Sequence, residues 1–270
     1  MKILLYCVIH EDSHHPDILQ AGLKGTSLQL VAEKDLAAVF SEIDQPDALV
    51  TTDAATQYHH VIARLHQGRT VVPFRFATLF DRISEVRQLL QSHQDRFSRM
   101  LTALDGCVEM GLRIMLSEKC LEDERSRQAD ELSTWETGLP EALPGTAYLL
   151  SRKQHYSKDL LLQNITRRTV QEYAGYFKDL CKGITYEQAV ECLHEGERSV
   201  MVSVYFLVPR DKEQGFRDAF HALDEQKQIG ARLTGPWPPY NFVVTNLAEE
   251  ADGTSPSKGS SSLVEPRQIQ

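Results

Sequence analysis

Apolar positions follow two rhythms along the chain, a two-residue alternation and a three-to-four-residue stripe, which predict interleaved strands and helices. Ile3–Ile9 is an unbroken apolar run of strand length. Leu28–Val31 and Leu36–Ile43 read as short strands around the polar turn Glu33-Lys34-Asp35, although the second also suits the start of a helix. Asp53 is placed to cap a helix through Gln67 that Gly68 stops. Thr70–Phe76 reads as a strand with Val72, Phe74 and Phe76 on one face. Ile83, Val86, Leu90, His93, Phe97, Leu101 and Leu104 share one stripe, predicting a long helix closed by Asp105-Gly106. In Cys107–Leu116, apolar residues alternate with Glu109 and Arg113, as in a sheet with one buried and one wetter face. Residues 1–117 are therefore expected to form an α+β domain.

Charge density then rises. Residues 118–136 carry Asp123/Arg127 and Arg127/Glu131 at helical pair spacing, and their thin apolar stripe suits a solvated linking helix. Gly138, Pro140, Pro144 and Gly145 mark a boundary. Beyond it, Thr146–Ser151 reads as a strand, followed by a helix striped by Leu161, Ile165, Thr169, Tyr173, Tyr176 and Leu180 and ended at Gly183. Strands at Glu187–His194 and Ser199–Pro209 flank the turn Glu195-Gly196-Glu197. A helix bearing Phe216, Ala219, Phe220 and Leu223 precedes strands Ala231–Thr234 and Asn241–Thr245. This β-α-β-β-α-β order is the ferredoxin-like arrangement. The predicted fold class is α+β: an N-terminal sheet domain (1–117), a charged helical linker (118–144) and a ferredoxin-like C-terminal domain (145–248). Residues 249–270, rich in Ser, Gly and Pro, are expected to be a disordered tail.

Composition narrows the function classes. With 270 residues and 41% hydrophobic content, the chain can build real cores. Its net charge of −9 argues against a phosphate-backbone binder. The strand SVMVSVYFLV also lacks the Lys/Arg-Gly-aromatic signature of an RNA-binding sheet. The N-terminal apolar run ends at Glu11 and Asp12 without a cleavage site, and nothing approaches the ~18 apolar residues of a membrane span. Cys7, Cys107, Cys120, Cys181 and Cys192 never form Cys-x-x-Cys, which suits free thiols in a reducing cytosol. The expectation is a cytoplasmic protein that binds neither nucleic acid nor membrane.

Candidate chemistry is sparse. Neither Gly-x4-Gly-Lys-Ser/Thr nor Gly-x-Gly-x-x-Gly occurs. His10, His14 and His15 stand near Glu11, Asp12 and Asp17, but without the paired spacing of a zinc site. His59 and His66 can share a helix face and read as partly exposed; Cys7 and Cys107 read as small buried hydrophobes. Glu109 and Arg113 suit a structural pair on one strand face. No catalytic residue, metal or cofactor is assigned, and the chain is expected not to be an enzyme. The most unusual segment is Gly235-Pro236-Trp237-Pro238-Pro239-Tyr240, whose prolines exclude it from a central ladder. It is either a stiff loop whose aromatics cap the second core or a preorganised contact surface.

Four segments carry a resemblance: Arg69–Phe80 (RTVVPFRFATLF), Gly106–Leu112 (GCVEMGL), Gly145–Leu150 (GTAYLL) and Thr234–Phe242 (TGPWPPYNF). In order and spacing they resemble the gas vesicle protein family GvpF/GvpL across residues 1–246. Ala77 stands where the family's Arg-Phe-Gly-Thr version has glycine. The resemblance implies a two-domain α+β protein with a ferredoxin-like C-terminal domain and no enzymatic activity. It implies a minor structural or assembly role in forming gas vesicles, through contacts with the shell protein GvpA and other accessory proteins. The location it implies is the cytoplasm and the gas vesicle, with the gas-facing side of the shell as one option. Trp237, Pro238, Pro239 and Tyr240 are the candidate protein-interaction residues, with Arg75 and Phe76 beside them; Arg75 also suits a buried or bridging structural role. The competing class is a small-molecule-binding sensor or enzyme on the same α+β scaffold.

Overall fold

The computed structural model describes residues 1–11, 21–44, 51–133, 146–194, 197–227 and 230–243. The chain divides into two compact units. Met1–Met110, Leu207–Glu213 and the segment opening at Gly235 form the first; Gly111–Phe206 and Gln214–Thr234 form the second.

In the first unit the apolar run becomes β1 (Lys2–His10), flanked by antiparallel neighbours on both sides. β3 (Leu36–Ile43) pairs along one side, with β2 (Gln29–Glu33) beyond it, and β4 (Val72–Pro73) and β5 (Leu79–Phe80) pair along the other. The β2–β3 hairpin closes at Glu33↔Leu36, with Lys34 taking a positive φ of 55° in the turn. Residues Ile3 through Ile9 are all buried, because each face of β1 meets its own core. The β1–β3 register shifts between Leu5 and Cys7, a bulge that places the intervening Tyr6 beside Cys7 on one face. Ile3, Leu5 and Val8 therefore point into one cluster and Leu4, Tyr6, Cys7 and Ile9 into the other. α1 (Thr52–Gly68) seals the second cluster with Tyr58, Val61, Ile62 and Leu65. α2 (Ile83–Ser92) and α3 (Gln94–Leu104) seal the first with Val86, Leu90, Phe97, Leu101 and Leu104.

The structure departs from three local expectations. The cap of α1 is Thr51, whose side chain accepts the Ala54 N–H at 3.1 Å, rather than Asp53. The long stripe is two helices, broken at His93, which leaves helical geometry at φ −118° and ψ 21° while the apolar stripe continues across the break. The expected strand Thr70–Phe76 shrinks to Val72–Pro73. Phe74 N–H still donates to Tyr6 O at 2.9 Å, but the chain then turns at Arg75–Thr78, where Thr78 N–H donates to Arg75 O at 3.2 Å.

The four-stranded sheet is built from β6 (Cys107–Ser117), β7 (Gly183–His194), β8 (Glu197–Pro209) and β9 (Ala231–Trp237), in the order β7-β8-β6-β9. α4 (Glu118–Ser133) and α5 (Thr146–Phe177) lie between β6 and β7 in the chain, and α6 (Glu213–Lys227) lies between β8 and β9. Val200, Val202, Val204 and Phe206 of β8 are fully buried, as their alternation predicts. Phe206 meets Phe177 of α5 and Phe216 of α6 at ring distances of 5.2 Å each. Glu124 of α4 and Arg168 of α5 pair at 2.6 Å.

The expected strand Thr146–Ser151 is helix, and β6 takes its place as the first strand of this sheet. A short apolar run fits strand or helix equally by periodicity. Here no Gly or Pro interrupts it before Leu161, and the helix runs on. Tyr176 is exposed, and Phe177 takes the inward position at the end of α5. The expected strand at Asn241 begins as a single 3-10 turn, Tyr240–Phe242. β9 instead continues through Pro236, as an edge strand can. The boundaries between the compact units fall inside β6, β8 and β9. The segment 134–145 and the tail 249–270 lie outside the described residues.

Candidate protein-interaction site

The proline-rich loop is fixed in the first unit from several directions. Gly235 enters it at a φ of 110°, accessible only to glycine without strain, and a Cβ there would lie 2.7 Å from the Glu109 carbonyl oxygen. Pro238 and Pro239 are buried. Tyr240 N–H donates to Pro238 O at 2.8 Å, and Phe242 N–H to Pro239 O at 3.3 Å, curling the chain into its final turn. Asn241 then latches onto Glu109. Its backbone N–H donates to Oε2 and its side-chain Nδ2 to Oε1, each at 2.7 Å. Glu109 is only 2% exposed, so the carboxylate end of this latch is shielded from competing water.

The aromatics are unequal. Tyr240 is half-buried against the core cluster around Tyr58, with its Oη 3.0 Å from His59 Nδ1. Burial pushes its phenol well above the usual range, helped by Cys7 and Glu109. His59 is half-buried; burial, and then the neighbouring His60, lower its pKa and favour the neutral ring. Trp237 meets the His59 ring edge-on at 5.2 Å and stays 39% exposed. One residue earlier on α1, Tyr58 stacks on Tyr6 at 4.9 Å and meets Phe76 at 5.2 Å. The Tyr58 hydroxyl donates to Leu5 O at 2.7 Å, with Phe74 O at 3.1 Å also within reach. α1 thus holds Phe76 through Tyr58 and the proline loop through His59.

Of the residues singled out from sequence, Phe76, Trp237 and Tyr240 gather around consecutive α1 side chains. Arg75 is exposed, not buried. Tyr240 caps the first unit's core rather than the second's. Glu109 binds Asn241 and is buried, which overturns its placement on a wetter face with Arg113. His66 is 5% exposed rather than surface-facing, and burial followed by the Arg210 charge depresses its pKa to about 4. Cys7 and Cys107 are buried free thiols, and burial pushes Cys7 up to about 12. His14 and His15 lie outside the described residues. Sequence reasoning missed His59, Glu109 and Asn241 as parts of this site. One signal was a lone carboxylate in an otherwise apolar strand, a residue type seldom buried without a partner.

These features define an α/β protein with two antiparallel sheets that displays a rigid aromatic loop. The chain belongs to the gas vesicle synthesis protein GvpL/GvpF family, whose model matches residues 2–244. It is 30% identical to gas vesicle protein L of a Streptomyces species over 73% of this chain and 71% of that protein. It is 26% identical to gas vesicle protein L of Haloferax mediterranei over 64% of this chain, and the match spans 56% of that protein's length. The crystal structure of GvpF from Anabaena sp. PCC7120 has a similar fold, with a TM-score of 0.64 at 17% identity over 90% of this chain and 95% of that one. No helix among the described residues is long and apolar enough to cross a membrane.

Proposed function

We propose that this chain is a non-enzymatic accessory protein of gas vesicle formation that binds the shell protein GvpA and other accessory proteins, as a minor structural or assembly component. The observation that carries this reading is the family match across residues 2–244. Its physical logic is that a small, strongly apolar shell subunit aggregates through exposed surface and strand edges until it is assembled. An acidic partner of net charge −9 keeps such a complex hydrated. The exposed Trp237 on a fixed loop supplies contact area at low entropic cost. The order β7-β8-β6-β9, with β6 and β8 inside, supports reading this sheet as ferredoxin-like, with Cys107–Ser117 as its first strand. The protein then works in the cytoplasm and at the growing vesicle.

Co-expression of the tagged full chain with GvpA tests the reading. Soluble GvpA should co-purify in a defined ratio, and gene deletion should reduce vesicle yield. Insoluble GvpA with and without the chain, together with normal vesicles in the deletion strain, would overturn it.

A further inference from the structure

Trp237 and Tyr240 belong to one loop, yet the first unit treats them differently. Tyr240 is drawn inward, against the Tyr58 core and the His59 ring. Trp237 stays 39% exposed, and among the described residues its ring contact is the edge-on approach to His59, with no hydrogen bond recorded for its indole N–H.

We propose that Trp237 is the single anchor by which this chain docks an uncharged, apolar protein surface carrying a backbone carbonyl for the indole N–H, and that Glu109 and His59 are positioning residues that hold the indole outward. The proposal rests on the shell-binding reading above and names the contact that reading requires.

Three observations carry it. First, the loop is ordered before any partner arrives. Pro238 and Pro239 are buried, Gly235 lies against the Glu109 carbonyl, and Asn241 is latched to the Glu109 carboxylate through two bonds of 2.7 Å. An anchor so held loses little conformational freedom on docking, which is where rigid aromatic residues concentrate binding energy. Second, charge defines the partner. In a chain with 25% charged residues, no Asp, Glu, Lys or Arg occurs from Leu233 through Val243. A nucleic acid or a charged peptide would find no counter-charge in this segment, whereas an apolar neutral surface loses none of its own hydration to an unpaired ion. Third, the indole N–H needs an acceptor once it is removed from water, since a buried unpaired donor is costly. The socket is therefore apolar with one carbonyl aimed into it.

The test uses the purified full chain in a Trp135→Phe background, so that Trp237 is the one tryptophan emitting. Binding is titrated against GvpA held on a sensor surface, and Trp237 anisotropy is read in the free protein. Trp237→Ala should weaken binding at least about 10-fold, and Trp237→Phe, which keeps a ring but loses the N–H, by about 3-fold to 10-fold. Glu109→Ala should lower both the Trp237 anisotropy and the affinity, while Glu109→Gln, which retains an acceptor for Asn241, should restore much of both. His59→Ala should lower anisotropy in the same way. If the wild-type chain binds GvpA and both Trp237 variants bind equally well, the anchor is refuted while shell binding stands. If the wild-type chain does not bind GvpA at all, the shell-binding reading fails and the proposed contact falls with it. If sedimentation shows a dimer that Trp237→Ala converts to monomer, the socket belongs to a second copy, and the proposed partner is wrong.

Discussion

Ala77 occupies a backbone conformation that its side chain opposes. It sits at φ 65° in the turn Arg75–Thr78, the turn that presents Phe76 to Tyr58. Left-handed geometry brings Cβ against the following carbonyl and costs an L-residue about 1–2 kcal/mol. Ala77→Gly removes that cost. Its methyl is exposed, so no packing is lost with it. Glycine in turn gives the unfolded chain extra freedom, which takes back about 0.4–1 kcal/mol. The difference is a net stabilisation centred on about 0.8 kcal/mol, or roughly 1–3 °C in melting temperature for a chain of this size. Urea unfolding at equilibrium measures it as a higher midpoint at unchanged slope. The reverse control is Ala77→Val, whose branched Cβ makes positive φ harder still and should lower the midpoint. A glycine variant no more stable than the parent would show that residue 77 is not held at this angle, and the argument for the turn would be wrong.

Other perturbations act on named contacts. Gly235→Ala sets a methyl 2.7 Å from the Glu109 carbonyl oxygen at a φ of 110°, so it should destabilise by about 2–4 kcal/mol and free the Asn241 amide to rapid hydrogen exchange. Tyr58→Phe deletes the hydroxyl that bonds Leu5 O at 2.7 Å inside the core, and should cost about 1–2 kcal/mol in thermal unfolding with little change in far-UV circular dichroism. His66 gives a pH dependence. Its folded pKa of about 4 lies below the ordinary 6.5, so the unfolded state binds more protons between these values and stability falls as pH drops through that window. From pH 7.5 to pH 5 the loss traceable to this group is about 2 kcal/mol, and His66→Phe should flatten that part of a melting-temperature profile.

The sequence exposes most clearly whatever depends on one element alone. β1, β8 and α6 follow from runs and alternations that require no knowledge of their neighbours. Thr146–Ser151 fails for the opposite reason: its apolar run fits either element, and only continuation into Leu161 decides for helix. β6 hides a subtler difficulty. Its pattern reads correctly as a strand, but nothing in it says which sheet it joins, so pattern alone points to Thr146–Ser151 as the first strand of the four-stranded sheet. In the candidate site, Trp237 and Tyr240 stand out by residue type, while the groups that fix them do not. Glu109 and Asn241 are 132 positions apart, and His59 and Tyr240 are 181 apart. Pairings at such separation leave no periodic trace in a single chain.

The charge of the molecule and the neutrality of its loop belong to one physical design under the function proposed above. A partner that must stay dissolved beside an aggregation-prone apolar subunit benefits from repulsion between complexes, which a net charge of −9 supplies. Spread evenly, that same charge would weaken docking, because each carboxylate brought into an apolar interface loses its water without gaining a counter-ion. Segregation resolves the conflict: the 233–243 segment is free of charged residues, and the one carboxylate that fixes the loop, Glu109, is already buried and bound to Asn241. Docking at Trp237 then strips no new charge of water. Adding charge at the loop should therefore damage binding far more than adding it elsewhere. Asn241 is exposed yet structurally committed, which makes Pro236, exposed beside Trp237, the better site for this comparison. Measured against Pro236→Asn, which loses the same ring without adding charge, Pro236→Asp should weaken GvpA capture at least about 10-fold further, while an acidic substitution at the exposed Gln67 on α1 should leave capture unchanged and solubility improved. Equal effects at both positions would mean that overall charge, not its exclusion from the loop, governs the association.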